Sequence, residues 1–174
     1  MAYTIDEHRG LKSGSGTKYP VVWKCPYELS EIIQEFEVKD DDELAIGDLA
    51  KVVAGHLLDI TDDEQEEKPV IILDTEDNKA ILEGHGLTAN KSSQFKDGDL
   101  LDCMLLIPGT ILSVKVEASS SNLAFGDGVV TAPTDGQVKL YDYGTDDPAC
   151  LLGRVLAIYT SGTGTAYILM VVGA

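Results

Sequence analysis

Short apolar runs separated by glycine, proline and aspartate turns constrain this chain more than any other feature. Val70-Ile-Ile-Leu73 and Lys79-Ala-Ile-Leu82 flank the polar segment Asp74-Thr-Glu-Asp-Asn78. Residues 100–107 and 111–116 flank Pro108-Gly109, where proline presets φ and glycine accepts a positive one. Residues 129–131 and 137–141 flank Asp135-Gly136, and residues 151–159 and 165–172 flank Ser161-Gly-Thr-Gly164. Four hairpin-like units with short connections and no sustained helical period predict an all-β fold, an antiparallel β-sandwich or β-barrel. Residues 31–38 fit a helix face through Ile32, Ile33 and Phe36, or a strand face through Ile32, Phe36 and Val38; the strand is preferred. Only the acidic stretch 61–68 breaks the rhythm, and it reads as a solvated loop or insertion.

An internal echo is the most specific pattern. Leu44-Ala-Ile-Gly-Asp48 recurs as Leu123-Ala-Phe-Gly-Asp127, and more loosely as Phe95-Lys-Asp-Gly-Asp99. In each, an apolar residue plugs the core, glycine allows a tight reversal and aspartate can bond the turn backbone before the next strand. Gly47, Asp48, Gly98, Asp99, Gly126 and Asp127 are therefore expected to be structural turn residues. The first two copies also follow similar strands, Phe36-Glu-Val-Lys39 and Val114-Lys-Val-Glu117. This suggests that the β domain, residues 20–174, holds two related β units, 20–104 and 105–174. Residues 1–19 read as an extended arm, because Gly10-Leu-Lys-Ser-Gly-Ser-Gly-Thr17 cannot bury enough surface to fold alone.

Composition narrows the function. Thirty acidic against 13 basic residues give a net charge of −17, which repels phosphate backbones and anionic lipid headgroups. Neither a nucleic-acid nor a membrane partner is expected. Met1 to Gly10 lacks the apolar run of a signal peptide, and the run ending at Val172 is too short to span a bilayer. Cys25, Cys103 and Cys150 form no Cys-x-x-Cys pair, so free thiols in a reducing compartment are expected, without a zinc site or disulfide framework.

The sequence assigns no catalytic, cofactor-binding or metal residue. His8, His56 and His85 are isolated from one another, with His56 in residues 52–58, which read as one apolar strand, and no nucleophile elbow, P-loop or dinucleotide fingerprint occurs. An enzyme would need a site built from scattered residues such as His85, Cys103 and Asp127. Asp74-Thr-Glu76-Asp-Asn78 begins like a calcium loop, but Lys79 stands where the turn glycine belongs and His85 where the bidentate glutamate belongs. Asn90-Lys-Ser92 is a formal glycosylation sequon without a signal peptide to make it relevant. Ala132-Pro-Thr-Asp-Gly-Gln-Val138 resembles the opening strand of biotinyl and lipoyl carrier domains, yet the lysine motif that carries their chemistry is missing.

Residues 105–172 resemble the β domain of head decoration, or cement, proteins of tailed viruses. The resemblance lies in the order of Ile111-Leu-Ser-Val-Lys-Val116, Leu123-Ala-Phe-Gly-Asp-Gly-Val-Val130, Gly136-Gln-Val138 and Leu152-Gly-Arg-Val-Leu-Ala157, closed by a last apolar strand. It implies a non-enzymatic structural protein, made in the host cytoplasm, that binds the outer surface of the capsid and stabilises the shell. The implied partner is the major capsid protein, and the implied state a homo-oligomer, a trimer before others. The expected capsid-contacting segment runs from Thr4 to Trp23, through Thr4, Ile5, Tyr19, Val21 and Trp23. The alternative is a soluble or surface β-barrel binding module, carrier-like or receptor- or glycan-binding, with Tyr141, Asp142 and Tyr143 as local candidates.

Overall fold

The computed structural model describes residues 21–39, 43–58, 60, 68–90, 93–117, 122–132, 136–160 and 166–173. The extended arm, the acidic stretch 61–67 and the sequon's Lys91 and Ser92 lie outside them.

The chain is mostly β and closes into two five-stranded barrels, one after the other in sequence. The first contains β2 (Ile33–Val38), β3 (Leu49–Val53), β4 (His56–Leu58), β5 (Val70–Ile72) and β6 (Leu100–Leu105) in the closed order β2-β4-β3-β5-β6. The second contains β7 (Ile111–Val116), β8 (Gly128–Thr131), β9 (Val138–Leu140), β10 (Gly153–Thr160) and β11 (Ala166–Val172), joined as β7-β11-β10-β8-β9 and closed by a β7–β9 pairing. Read from its first strand in the opposite sense, the second ring is β7-β9-β8-β10-β11, the same order as the first. Closure matters physically, because a closed sheet leaves no edge strand to recruit another chain.

The correspondence extends to individual residue pairs. Val38 pairs Leu57 in a parallel ladder, and Val116 pairs Val138 in another. Val52 faces Leu57 as Thr131 faces Val138, and Ile72 faces Cys103 as Val155 faces Met170. Ile33 faces Met104 as Ile111 faces Val171. The parallel pair in each barrel departs from the purely antiparallel expectation. It arises because the first strand of each unit runs on into a reversing turn, so that the hairpin after the turn brings its second arm back alongside.

Three local expectations are corrected. Residues 79–82 are not a strand paired with residues 70–73; they belong to helix α2 (Glu76–Gly84), preceded by the short helix α1 (Leu29–Ile32) earlier in the chain. Thr75 caps α2 by accepting the Asn78 amide, and Glu76 and Asp77 place negative charge in its first turn. Fully buried Asn78 then ties α2 to the barrel, donating to the Leu73 and Asp102 carbonyls and accepting from the Asp102 amide. The expected hairpin at Pro108-Gly109 is instead the link between barrels. It is a tight turn in which Thr110 N–H donates to the Ile107 carbonyl at 3.1 Å, and its flanking strands belong to different barrels. Residues 52–58 are not one strand but the β3–β4 hairpin, reversed at Ala54-Gly55, both with positive φ.

One apolar core runs through both barrels and includes Leu44, Leu49, Leu57, Ile71 and Leu101 from the first and Leu112, Val129, Val155 and Met170 from the second. The strand β1 (Val22–Lys24) precedes the first barrel in sequence but pairs with β7 of the second. Fully buried Val21 therefore stitches the two together: its N–H reaches Asp74 Oδ2 and its carbonyl accepts from Ser113 N–H.

Candidate interaction surface

The repeated Leu-Ala-x-Gly-Asp segments form one turn, built twice. In the first, Asp48 N–H donates to the Ala45 carbonyl, and Asp48 Oδ2 accepts the Ala45 N–H at 2.8 Å. In the second, Asp127 N–H donates to the Ala124 carbonyl, and Asp127 Oδ2 accepts the Ala124 N–H at 2.7 Å. Gly47 and Gly126 sit at φ 87° and 89°, a conformation other residues adopt only under strain. Each turn is clamped to the fourth strand of its barrel by two backbone bonds: Gly47 N–H to Ile72 O and Ile72 N–H to Asp48 O, against Gly126 N–H to Val155 O and Val155 N–H to Asp127 O. The looser echo closes the same way, with Gly98 at φ 86° and Lys96 N–H donating to Asp99 Oδ2. There Asp99 also meets His85 Nε2 at 2.9 Å, joining the end of α2 to the start of β6.

The environments of the two turns differ. Residues 44–49 are all buried. Gln94 bridges to Ala45 and Phe95 N–H donates to the Leu44 carbonyl, covering the turn from its own barrel. The second barrel covers it from outside: Gly136 O accepts the Leu49 N–H at 2.9 Å, and Lys115 Nζ lies 3.6 Å from Asp48 Oδ1. The fit at this seam is tight enough that a Cβ on Gly136 would come within 2.5 Å of Asp48 Cβ. Burial, with Asp48 nearby, pushes the Tyr167 hydroxyl above its ordinary range.

At the second turn the tip faces solvent. Phe125 takes the place of Ile46 and is 79% exposed, against 3% for Ile46. The turn beneath it is firm, since Arg154 Nη1 adds a bond to the Gly126 carbonyl at 3.0 Å. Because the Gly128 carbonyl accepts the Tyr141 N–H at 2.9 Å, just beyond the β8–β9 pairing, the loop after β9 lies at the same end of the barrel. That loop presents Tyr143, also 79% exposed and edge-on to the buried Tyr141 ring at 4.8 Å. It is braced by Asp142 and Asp146: Asp142 N–H donates to Asp146 Oδ2, Gly144 N–H donates to Asp142 Oδ1, and Lys139 Nζ lies 3.6 Å from Asp146 Oδ1.

Of the residues named for capsid contact, Thr4, Ile5 and Tyr19 lie outside the described residues. Val21 is a correction: its side chain is fully buried in the core and is not available to an external surface. Trp23 is half-buried against Ala157, Tyr159 and Leu169. Gly47, Asp48, Gly98, Asp99, Gly126 and Asp127 all sit in the turns described above. His85 and Cys103 are in the first barrel and Asp127 in the second; burial, then Asp102, raises the Cys103 thiol far above its ordinary range, which keeps it protonated. Among the described residues no group of three or more His, Cys, Asp and Glu side chains is placed to hold a metal ion. Phe125 and Arg154 were not singled out from sequence. The available signal was the aromatic at the tip of one copy where the other has isoleucine.

No family model matches this chain, and no curated protein matches it at a significant level.

Proposed function

We propose that this chain is a non-enzymatic structural protein that binds the outer surface of a viral capsid through the major capsid protein and stabilises the shell, acting as a homo-oligomer, a trimer before others. The observation that supports the reading is that the segment resembling decoration proteins, residues 105–172, coincides with one complete closed barrel, β7 to β11. The first barrel repeats that unit strand for strand.

The mechanism is linkage. A copy that binds assembled shell but not its dissociated or unfolded subunits adds its binding free energy to shell stability, and an oligomer sums several weak contacts. Closed barrels with a shared core suit this role because they present a fixed shape with little ordering on contact. A receptor- or glycan-binding module is the second reading, and exposed Tyr143, set edge-on against Tyr141, is the feature that favours it.

Quantitative mass spectrometry of purified particles from the source tests the first reading. A fixed ratio of this chain to the most abundant shell protein, near one or a simple fraction, is expected. Absence from particles would move the weight to the binding module.

A further inference from the structure

The covered turn of the first barrel shows, within the same molecule, what kind of surface fits a turn of this design. Gly136 supplies a side-chain-free backbone that lies flat on Asp48 and Leu49, and Lys115 supplies a cation to the aspartate that closes the turn. The second turn has the same backbone, the same closing aspartate, now half-exposed at Asp127, and a larger apolar tip that none of the described residues covers, Phe125 at 79% exposure. Asp142, Asp146 and Asp147 in the neighbouring loop, with Asp127, outnumber the cations Lys139 and Arg154 at this end of the barrel.

We propose that the Phe125 turn is the docking surface of this protein, and that its partner is a protein surface presenting a lysine or arginine beside an apolar recess that takes the Phe125 ring. This deepens the capsid reading and rests on it, since it assigns the shell-binding face to the second barrel's turn. The site is pre-organised. Both clamping bonds to Val155, the Asp127–Ala124 closure and the Arg154–Gly126 bond exist before binding, so Phe125 is offered on a rigid support. An aromatic anchor on a rigid base, flanked by charge, is the arrangement in which one side chain carries a large share of binding.

A second copy of this chain does not satisfy the same requirement. The register that aligns the barrels places Glu37 at the position of Lys115, because Val38 and Leu57 match Val116 and Val138. Docking the first barrel of one copy onto the Phe125 turn of another, by the geometry of the internal seam, would set Glu37 against Asp127. A net charge of −17 adds to that repulsion. The internal seam is thus made once within the chain, and the free turn calls for a basic partner.

The test is equilibrium co-sedimentation with purified shells of the source from which this chain has been stripped, using the full chain, Phe125→Ala and Asp127→Asn. Asparagine keeps an oxygen for the Ala124 N–H while removing the charge. The full chain is expected to bind, Phe125→Ala to bind about tenfold more weakly, and Asp127→Asn to weaken binding and flatten its salt dependence. Unchanged denaturation midpoints would establish that Phe125→Ala has not disturbed the fold. If the full chain binds and both variants bind within about twofold of it, the docking face is wrong while the capsid reading stands. If the full chain does not bind stripped shells, the capsid reading fails and this proposal fails with it. If Phe125→Ala instead abolishes self-association of the chain alone and leaves shell binding intact, the occupant is a second copy and the proposal is overturned.

Discussion

The two barrels answer the same structural problem with the same backbone, yet one hides its Gly-Asp turn and the other displays it. In the first, Ile46, Gly47 and Asp48 are interior residues, and the carboxylate that closes the turn is also half of a seam ion pair with Lys115. In the second, the equivalent carboxylate closes the turn and, among the described residues, makes no ion pair across a seam, and the tip residue is the large exposed Phe125. A repeated unit therefore need not have repeated energetics. The covered copy is part of the stability of the whole, whereas the exposed copy can vary in sequence at little cost to folding.

Matched pairs of substitutions break or sharpen that contrast. Ile46→Ala should cost about 3 kcal/mol through lost burial and a residual cavity, whereas Phe125→Ala should change stability by less than about 0.5 kcal/mol. Urea denaturation with equal m-values reads both directly. Equal losses at the two sites would mean that the exposed turn is covered after all.

Asp48→Asn should cost about 3 kcal/mol, because it removes the negative charge that faces the Lys115 ammonium at a largely buried seam. The counterpart Asp127→Asn should cost under about 1 kcal/mol, being an exposed turn bond with an acceptor retained. A double substitution, Asp48→Asn with Lys115→Met, should recover part of the first loss.

The glycines at the head of the third strand give the next pair. Gly136→Ala adds a Cβ where Asp48 Cβ and the Leu49 backbone already sit, on top of a φ of +65°, and should cost about 2–3 kcal/mol. Gly55 is its counterpart, at φ +83° with open space around the missing Cβ, so Gly55→Ala should cost only the backbone strain, about 1–2 kcal/mol.

The smallest effect concerns pH. The Tyr167 hydroxyl is held above its ordinary value of 10.0 by burial and then by Asp48, so the folded chain keeps that proton when the unfolded chain loses it. The stabilisation is complete below pH 10.0 and is lost as pH rises towards the folded-state value. Thermal melts above pH 10.0 should show a shallower alkaline decline in Tyr167→Phe than in the unmodified chain. A decline of equal slope would mean that Tyr167 does not titrate differently on folding.

Much of this architecture could be read before any coordinates. The alternation of short apolar runs and turns gave the β class, and the Leu-Ala-x-Gly-Asp echo located both reversing turns and the third at Asp99. The helix α2 was hidden because Ala80-Ile-Leu82 is too short to show a period of 3.6, and its capping residue Thr75 lies in a segment that equally suits a hairpin turn. The parallel pairings were not legible either, since pairing partners depend on how the chain crosses the barrel end and not on local pattern. The contrast between Ile46 and Phe125 lay furthest from the sequence. The two segments have the same polarity pattern, and contacts distant in sequence, from Gln94 and Phe95 in its own barrel and Lys115 and Gly136 in the other, cover the first turn.

Amide hydrogen exchange of the free protein, resolved at Ala45 and Ala124, tests the central contrast most directly. Both amides donate to a turn aspartate with nearly the same geometry, so bond length alone would protect them alike. The account predicts that Ala45 exchanges only with opening of the core between the barrels, and that Ala124 exchanges by local opening, orders of magnitude faster. Similar protection at the two amides would contradict it.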